Sequence, residues 1–259
     1  FFFKQKTAYA IRNCDWSFRR VLFRSSERRE RDYRRNPPLS HALLLALGAM
    51  LLFGLGDLIY KRAATAGVPA HQFLMGQAWL FAPTVITLAL VSGAPITRAA
   101  LWGAAAGAFS FIAFYNFSRS LATGAISVNA PIFRMSFMLT AALAIVLLNE
   151  PLTPLKIAGL AAAPFAAWLL LGGAPPGGKR IAAASLVQVL VATVAMGVGT
   201  FLYKVGLLQG ASPAVLVAAQ AAVFMPTATV FSTLREKRLW PSRAALRYGP
   251  AAEIGRAHV

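Results

Sequence analysis

Residues 54–84 align with residues 197–227 at a constant offset of 143, without a gap and with ten identities. The matched positions include Gly54/Gly197, Gly56/Gly199, Tyr60/Tyr203, Lys61/Lys204, Gly67/Gly210, Gln77/Gln220, Phe81/Phe224, Pro83/Pro226 and Thr84/Thr227. Apolar sequence of low complexity does not repeat tyrosine, lysine, glutamine and proline in fixed register, so the chain holds one helical unit twice. The copies lie five apolar segments apart, and an odd number of membrane crossings makes the second copy enter from the opposite face. The expected architecture is therefore an inverted repeat, a plan shared by many secondary transporters.

Seven apolar stretches, at 39–60, 70–92, 99–118, 123–148, 155–173, 181–203 and 213–234, set the fold class as an all-α multi-pass membrane protein. About 20 apolar residues at 1.5 Å rise cover a hydrocarbon core of about 30 Å, and buried soluble helices rarely recur at this length. The start of an eighth helix is expected near Arg243. Turn chemistry marks the joints at Gly67-Val68-Pro69, Gly93-Ala94-Pro95 and Ala122-Thr123-Gly124, and the Gly172–Gly178 run separates the repeats.

Both ends read as foreign to the protein. Residues 253–259, EIGRAHV, resemble the translated start of a short-read sequencing adapter, and 1–25 resemble the rest of one behind a poly-T run. Excluding them leaves a basic segment at 26–38, a first repeat at 39–173, a linker at 174–180 and a shortened second repeat at 181–252. Seven basic and two acidic residues leave with the ends, so the net charge falls from +18 to +13, and the single cysteine, Cys14, goes too. Redox compartment is then unreadable. The remaining positive charge flanks apolar segments instead of forming one stripe, which suits membrane loops and argues against a nucleic-acid partner.

The run from Phe114 to Gly159 resembles the EamA-type drug/metabolite transporters. Its most specific piece is Asn149-Glu150-Pro151-Leu152-Thr153 followed by Lys156, which is similar to that family's glutamate motif at the end of the fourth helix. The resemblance implies ten helices in two inverted five-helix repeats, with the second repeat truncated here and three helices lacking. A truncated chain of this kind is expected not to transport. One departure is local, for Asp57 in the first helix has Thr200 as its repeat partner.

Intramembrane polar groups carry the candidate chemistry. An ionisable side chain at depth costs a few kcal/mol or more unless it is paired or lines a wet cavity, so Asp57 and Arg134 are the first candidates for a substrate or proton pathway. Antiparallel counting from span midpoints places Asp57 at about 9 Å and Arg134 at about 3 Å on the same side of the centre, within reach of each other. A structural ion pair is the competing reading. Ser127, Pro131, Arg134 and Met138 share a face, with Pro131 unable to donate to Ser127 and expected to bend the span one turn before the arginine. Asn129 and Asn116 are expected to join Arg134 around a central cavity, with Asp57 tuning charge or carrying a proton. Gln77 and Gln220 either bond across helices or line the pathway, at matched depth. Tyr60-Lys61 and Tyr203-Lys204 read as helix-end groups whose lysines snorkel to headgroups. Gly103 and Gly107 read as close helix packing.

Catalysis lacks equipment. Within 39–252 the acids are Asp57, Glu150 and Glu236 and the histidines are His41 and His71, both near helix ends. No paired carboxylates, metal-spaced cluster or phosphate-cradling glycine motif is present, so neither an enzyme nor a cofactor is expected. The expected function is secondary-active transport of a small metabolite or amphiphile across the plasma or inner membrane. A lipid-linked substrate flippase and a non-transporting membrane scaffold are the alternatives, and the sequence leaves a homodimer open. Orientation also stays open. A cytoplasmic amino end puts eight Lys/Arg inside, among them Arg98, Lys156 and Lys204, against nine outside, which the positive-inside rule does not favour.

Overall fold

The computed structural model describes residues 41–172 and 183–253. The expected foreign leader, the basic segment at 26–38, the linker at 174–180 and the terminal residues 254–259 lie outside the described residues. The chain divides into two units, 1–48 and 49–259, and the packing below belongs to the second.

Among the described residues there are nine helices and no strand: α1 (His41–Thr65), α2 (Ala70–Val91), α3 (Ala100–Thr123), α4 (Ile126–Arg134), α5 (Ser136–Leu148), α6 (Pro154–Gly172), α7 (Ala183–Leu208), α8 (Pro213–Glu236) and α9 (Arg243–Glu253). Helices α4 and α5 are two pieces of one span, Ile126–Leu148, which with α2, α3, α7 and α8 makes five stretches long and apolar enough to cross a bilayer. Seven were expected. The stretches at 39–60 and 155–173 do form helices, α1 and α6, but the apolar part of α6 is only Lys156–Leu169 and α1 is not among the five. The helix expected near Arg243 begins there as α9.

Several local bonds recur in both copies of the repeated segment. Each first helix ends on a left-handed glycine, Gly67 at φ 74° and Gly210 at φ 85°. The Gly67 and Gly210 N–H groups donate to Ala64 O and Leu207 O, and the next residues, Val68 and Ala211, donate back to Ala63 O and Gly206 O. These pairs sit at the same offset of 143, and a Cβ at either glycine would be strained in this region of φ. Pro83 and Pro226 lie inside α2 and α8, and the threonine after each bonds the carbonyl four residues back, Thr84 to Leu80 O at 2.8 Å and Thr227 to Val223 O at 2.7 Å. Tyr60 donates its phenol to Gln77 Oε1 at 2.6 Å, and Tyr203 donates to Gln220 Oε1. One bond thus ties the first helix of each copy to the second.

Helix α3 is the pivot, packed on α7 and α8, while α2 packs on α8 and α9. Glycines set these approaches. A Cβ on Gly103 would lie 2.4 Å from Leu216 O, and one on Gly107 would lie 2.5 Å from Gln220 O. The same device recurs where α9 meets α2: Gly249 faces the backbone of Gly76 and Gln77, with a Cβ there 2.6 Å from Gln77 N. Gly249 therefore stands to Gln77 as Gly107 stands to Gln220, one residue off the sequence offset. The largest buried cluster holds Tyr60, Phe73, Phe117, Leu121, Phe133 and Val189, with Phe117 stacked on Phe133 at 4.2 Å between centroids and Tyr60 edge-on to Phe73 at 4.5 Å.

Gly107→Ala forces α3 and α8 apart and should cost about 1–3 kcal/mol, whereas Gly54→Ala, with open space around its Cβ, should change stability by less than about 0.5 kcal/mol. Thermal unfolding of both variants in detergent checks this, and equal losses would remove the close-packing account.

Candidate functional site

Arg134 is the last residue of α4, and the span is interrupted immediately after it. Met135, at φ −68° and ψ −2°, shares its N–H between Pro131 O at 3.2 Å and Ile132 O at 3.1 Å, and α5 starts at Ser136. The interruption thus falls one turn after Pro131 and not at the Ser127 turn before it. The neighbouring helix seals it. Thr193 of α7 shares its hydroxyl between Val189 O of its own helix at 2.7 Å and Ile132 O at 3.1 Å, and Thr140 of α5 donates to Gly197 O at 2.9 Å. Gly197 has to be glycine here, since a Cβ would stand 2.9 Å from Ser136 O and closer still to Leu139. Its repeat partner Gly54 meets nothing within 4 Å. Non-helical backbone at depth is tolerated where protein covers it, and α7 supplies that cover.

From this break Arg134 reaches α1. Its Nη2 donates to both oxygens of Asp57, at 2.8 and 2.7 Å, and to Phe53 O at 3.3 Å. Asp57 is 6% exposed, while the Arg134 side chain is 42% exposed. The Phe53 and Phe133 rings flank the guanidinium at 5.0 and 5.8 Å. The position of Arg134 at a helix C-terminus adds the attraction of unsatisfied carbonyls for a cation. The repeat equivalent of Asp57, Thr200, turns its hydroxyl back to Met196 O of its own helix, so the charged pair has no copy at that position of the second repeat.

The other candidates separate into different environments. Asn129 is fully buried. It donates to Ser120 O at 2.8 Å and Ser185 Oγ at 2.9 Å, joining α3, α4 and α7, and its Oδ1 has no partner among the described residues. Asn116 is half-buried and donates to Ile112 O of its own helix. Gln77 is wholly buried. Gln220 is half-buried and spends its amide N–H on Ser110 Oγ at 2.9 Å, bridging the second copy to α3 of the first. Tyr60 and Lys61 stand short of the helix end at Thr65, and Lys61 is turned inward instead of snorkelling. Its ammonium bonds Leu121 O at 2.7 Å and Gly124 O at 2.9 Å, capping the C-terminus of α3.

Lys204, the copy of Lys61, goes to the Asn149-Glu150-Pro151 turn instead. Asn149 ends α5 in the left-handed region, at φ 52° and ψ 39°, which asparagine tolerates better than other side-chain-bearing residues. Pro151 stops the helix from resuming at once. Glu150 is thereby held out beside two cations, with Lys204 at 2.5 Å and Lys156 at 3.2 Å. The Lys204 hydrogen bond is the main reason the Glu150 carboxyl sits below its ordinary value of 4.5, against a smaller opposing effect of burial. A depressed folded-state value contributes stability above the unfolded value and loses it as pH falls through the folded one. Wild type should therefore exceed Glu150→Gln by about 1 kcal/mol at pH 7, the gap closing as pH is lowered from 4.5. Thermal melts at stepped pH check the sign, and a gap that widens in acid would contradict it.

Sequence reading passed over several partners. The Ser110 and Ser185 hydroxyls receive the Gln220 and Asn129 bonds and the Ser120 main-chain carbonyl accepts from Asn129 and Ser185, and small hydroxyls and carbonyls in apolar helices give no pattern by which to single them out. His71, placed by the sequence only near a helix end, pairs with Glu236 at 2.6 Å across α2 and α8. Gln72 bonds Ser232 Oγ at 2.9 Å and accepts from Ser242 N–H at 2.9 Å, tying α2 to α8 and to the start of α9. A cavity of about 360 Å³ is lined by Ile59, Arg62, Arg247 and Tyr248, none of them a predicted site residue.

No curated protein matches the chain. The profile of the EamA-like transporter family matches residues 40–172, from the first helix through α6 and across both the Asp57–Arg134 pair and the Asn149-Glu150-Pro151 turn. With apolar spanning helices and this match over more than half its length, the chain is an integral membrane protein and belongs to the EamA-like transporter family.

Proposed function

We propose that the protein is a secondary-active transporter of a small metabolite or amphiphile, working by alternating access between two inverted repeats about the Asp57–Arg134 pair. The observation that carries this reading is the pair itself. Two charges at intramembrane depth, one buried and one partly open beside an interrupted span, are expensive for a scaffold to keep, while a transporter uses them to meet a solute or a proton. The repeat supports it, because the Tyr–Gln bond and the glycine turn join the first two helices of each copy in the same way. On this reading the first repeat occupies 39–173 and the second begins at 181, in the plasma or inner membrane, with the solute as the working partner. The chain carries no nucleotide-binding motif, which favours a gradient as the energy source, through protons or solute exchange.

In proteoliposomes holding the full-length protein, Asp57→Asn and Arg134→Gln should each cut solute-dependent proton flux or exchange at least tenfold while leaving insertion intact. Unchanged flux in both variants would remove the pair from the mechanism, and uptake that required ATP would contradict gradient coupling.

A further inference from the structure

Two arginines line one cavity with no acid in its wall. The cavity, of about 360 Å³, lies where α1 ends and α9 begins, and is lined by Ile59 and Arg62 of α1 and by Arg247 and Tyr248 of α9. Both walls are anchored. Ile59 and Tyr248 pack against the largest buried cluster, which holds Tyr60 and Ala63 of α1 and Ala245 of α9. The Arg247 guanidinium stands 5.9 Å from the centre of the Tyr248 ring, so its charge sits at the cavity wall. Arg62 follows Ile59 by three residues and shares its helix face. The ion pairs among the described residues engage His71, Arg134, Lys156 and Lys204, and neither Arg62 nor Arg247 has a carboxylate or hydrogen-bond acceptor among them. Each guanidinium therefore has its fork of N–H donors to offer to water or to a ligand.

We propose that this cavity binds the phosphate group of a phosphomonoester, held between Arg62 and Arg247, with the adjoining apolar body against Ile59 and Tyr248. The site is separate from the Asp57–Arg134 pair and does not depend on the transporter reading. Charge selects the anion. A wall with two cations and no acid focuses its field on the cavity, and a phosphomonoester brings about −1.5 to −2 at pH 7, close to balance. Geometry agrees, because one guanidinium fork already occupies both oxygens of a carboxylate, whereas the third oxygen of a phosphate is free for a second fork. Depth fits as well. Arg62 lies three residues before the end of α1 and Arg247 four after the start of α9, which at 1.5 Å rise is within about 6 Å of those helix ends. A phosphate reaches that level either as the headgroup of an anionic lipid or on a soluble molecule, and the chemistry that holds it is the same.

The test uses the full chain in a non-ionic detergent near neutral pH. Phenyl phosphate is the soluble probe, read by titration calorimetry, and short-chain phosphatidic acid is the lipid probe, read by native mass spectrometry. Benzyl alcohol and the matching diacylglycerol are their uncharged counterparts. At least one phosphate-bearing probe should bind where its counterpart does not, and the tighter of the two identifies the source. Arg62→Gln and Arg247→Gln should each weaken that probe about tenfold or more, because each removes one charge-assisted fork. Lys237→Gln, which removes an exposed cation at the end of α8, should leave its affinity within about twofold, since a charge outside the cavity is screened. Both arginines are exposed, so the variants should fold. Should one fail, the unmodified chain decides the matter, with phenyl phosphate expected to bind about tenfold or more tightly than benzoate. Binding of neither probe overturns the proposal, as does benzoate matching phenyl phosphate. So does affinity that survives both arginine substitutions, or that falls as far in Lys237→Gln as in either of them.

Discussion

A phenol and a primary amide inside a hydrocarbon layer must find their hydrogen-bond partners in the protein, and each Tyr–Gln pair supplies one to the other. Tyr60–Gln77 and Tyr203–Gln220 each lock the register between a first and a second helix, at positions 17 residues apart in both copies. With that register fixed, the left-handed glycine between the helices, the proline and the threonine beyond it fall at equivalent places. The pairs also hand on polarity. Gln220 has an amide left to give to Ser110, which anchors the second copy onto α3, and α3 is the helix around which α7 and α8 assemble. Contacts this close need glycine opposite backbone at Gly103 and Gly107, so the hydrogen bonds and the small residues act together.

The copies are alike in construction and unlike in charge. Lys61 caps carbonyls at the end of α3, while Lys204 binds Glu150. Asp57 binds Arg134, while Thr200 bonds only within its helix. Gly197 admits the backbone of α5, while Gly54 faces open space. Equivalent residues thus meet different partners, and the intramembrane ion pair between the first helix and the interrupted fourth span belongs to one copy. A repeated frame thus carries a charged pair that is not itself repeated.

Legibility followed the range of the interaction. The offset of 143 exposed the repeat because its residues answer local demands: a positive φ at Gly67 and Gly210, a missing N–H at Pro83 and Pro226, a bond to a carbonyl one turn away at Thr84 and Thr227. The meeting of Asp57 with Arg134 was also readable, because antiparallel spans of known rise put the two at similar depth. Sequence places Asn129 and Asn116 on segments neighbouring Arg134, but it does not say which way each side chain turns. Asn129 binds Ser120 and Ser185, and Asn116 its own helix. Lysines near span ends were assigned to headgroups on depth alone, though carbonyls and a carboxylate lay closer.

Sequence alone determined the all-helical class, the duplicated unit, the family resemblance carried by Asn149-Glu150-Pro151, and the scarcity of ionisable groups that makes Asp57 and Arg134 stand out. These rest on chain-local physics: apolar length against bilayer thickness, turn conformations, and the cost of a charge at depth. Only the tertiary structure decided that Lys204 meets Glu150, that His71 meets Glu236, that Lys61 turns to the carbonyls at the end of α3, and that Gln220 bonds Ser110. Such contacts depend on the rotation and approach of helices far apart in sequence, which are fixed by the summed packing of many small surfaces and are written in no single residue.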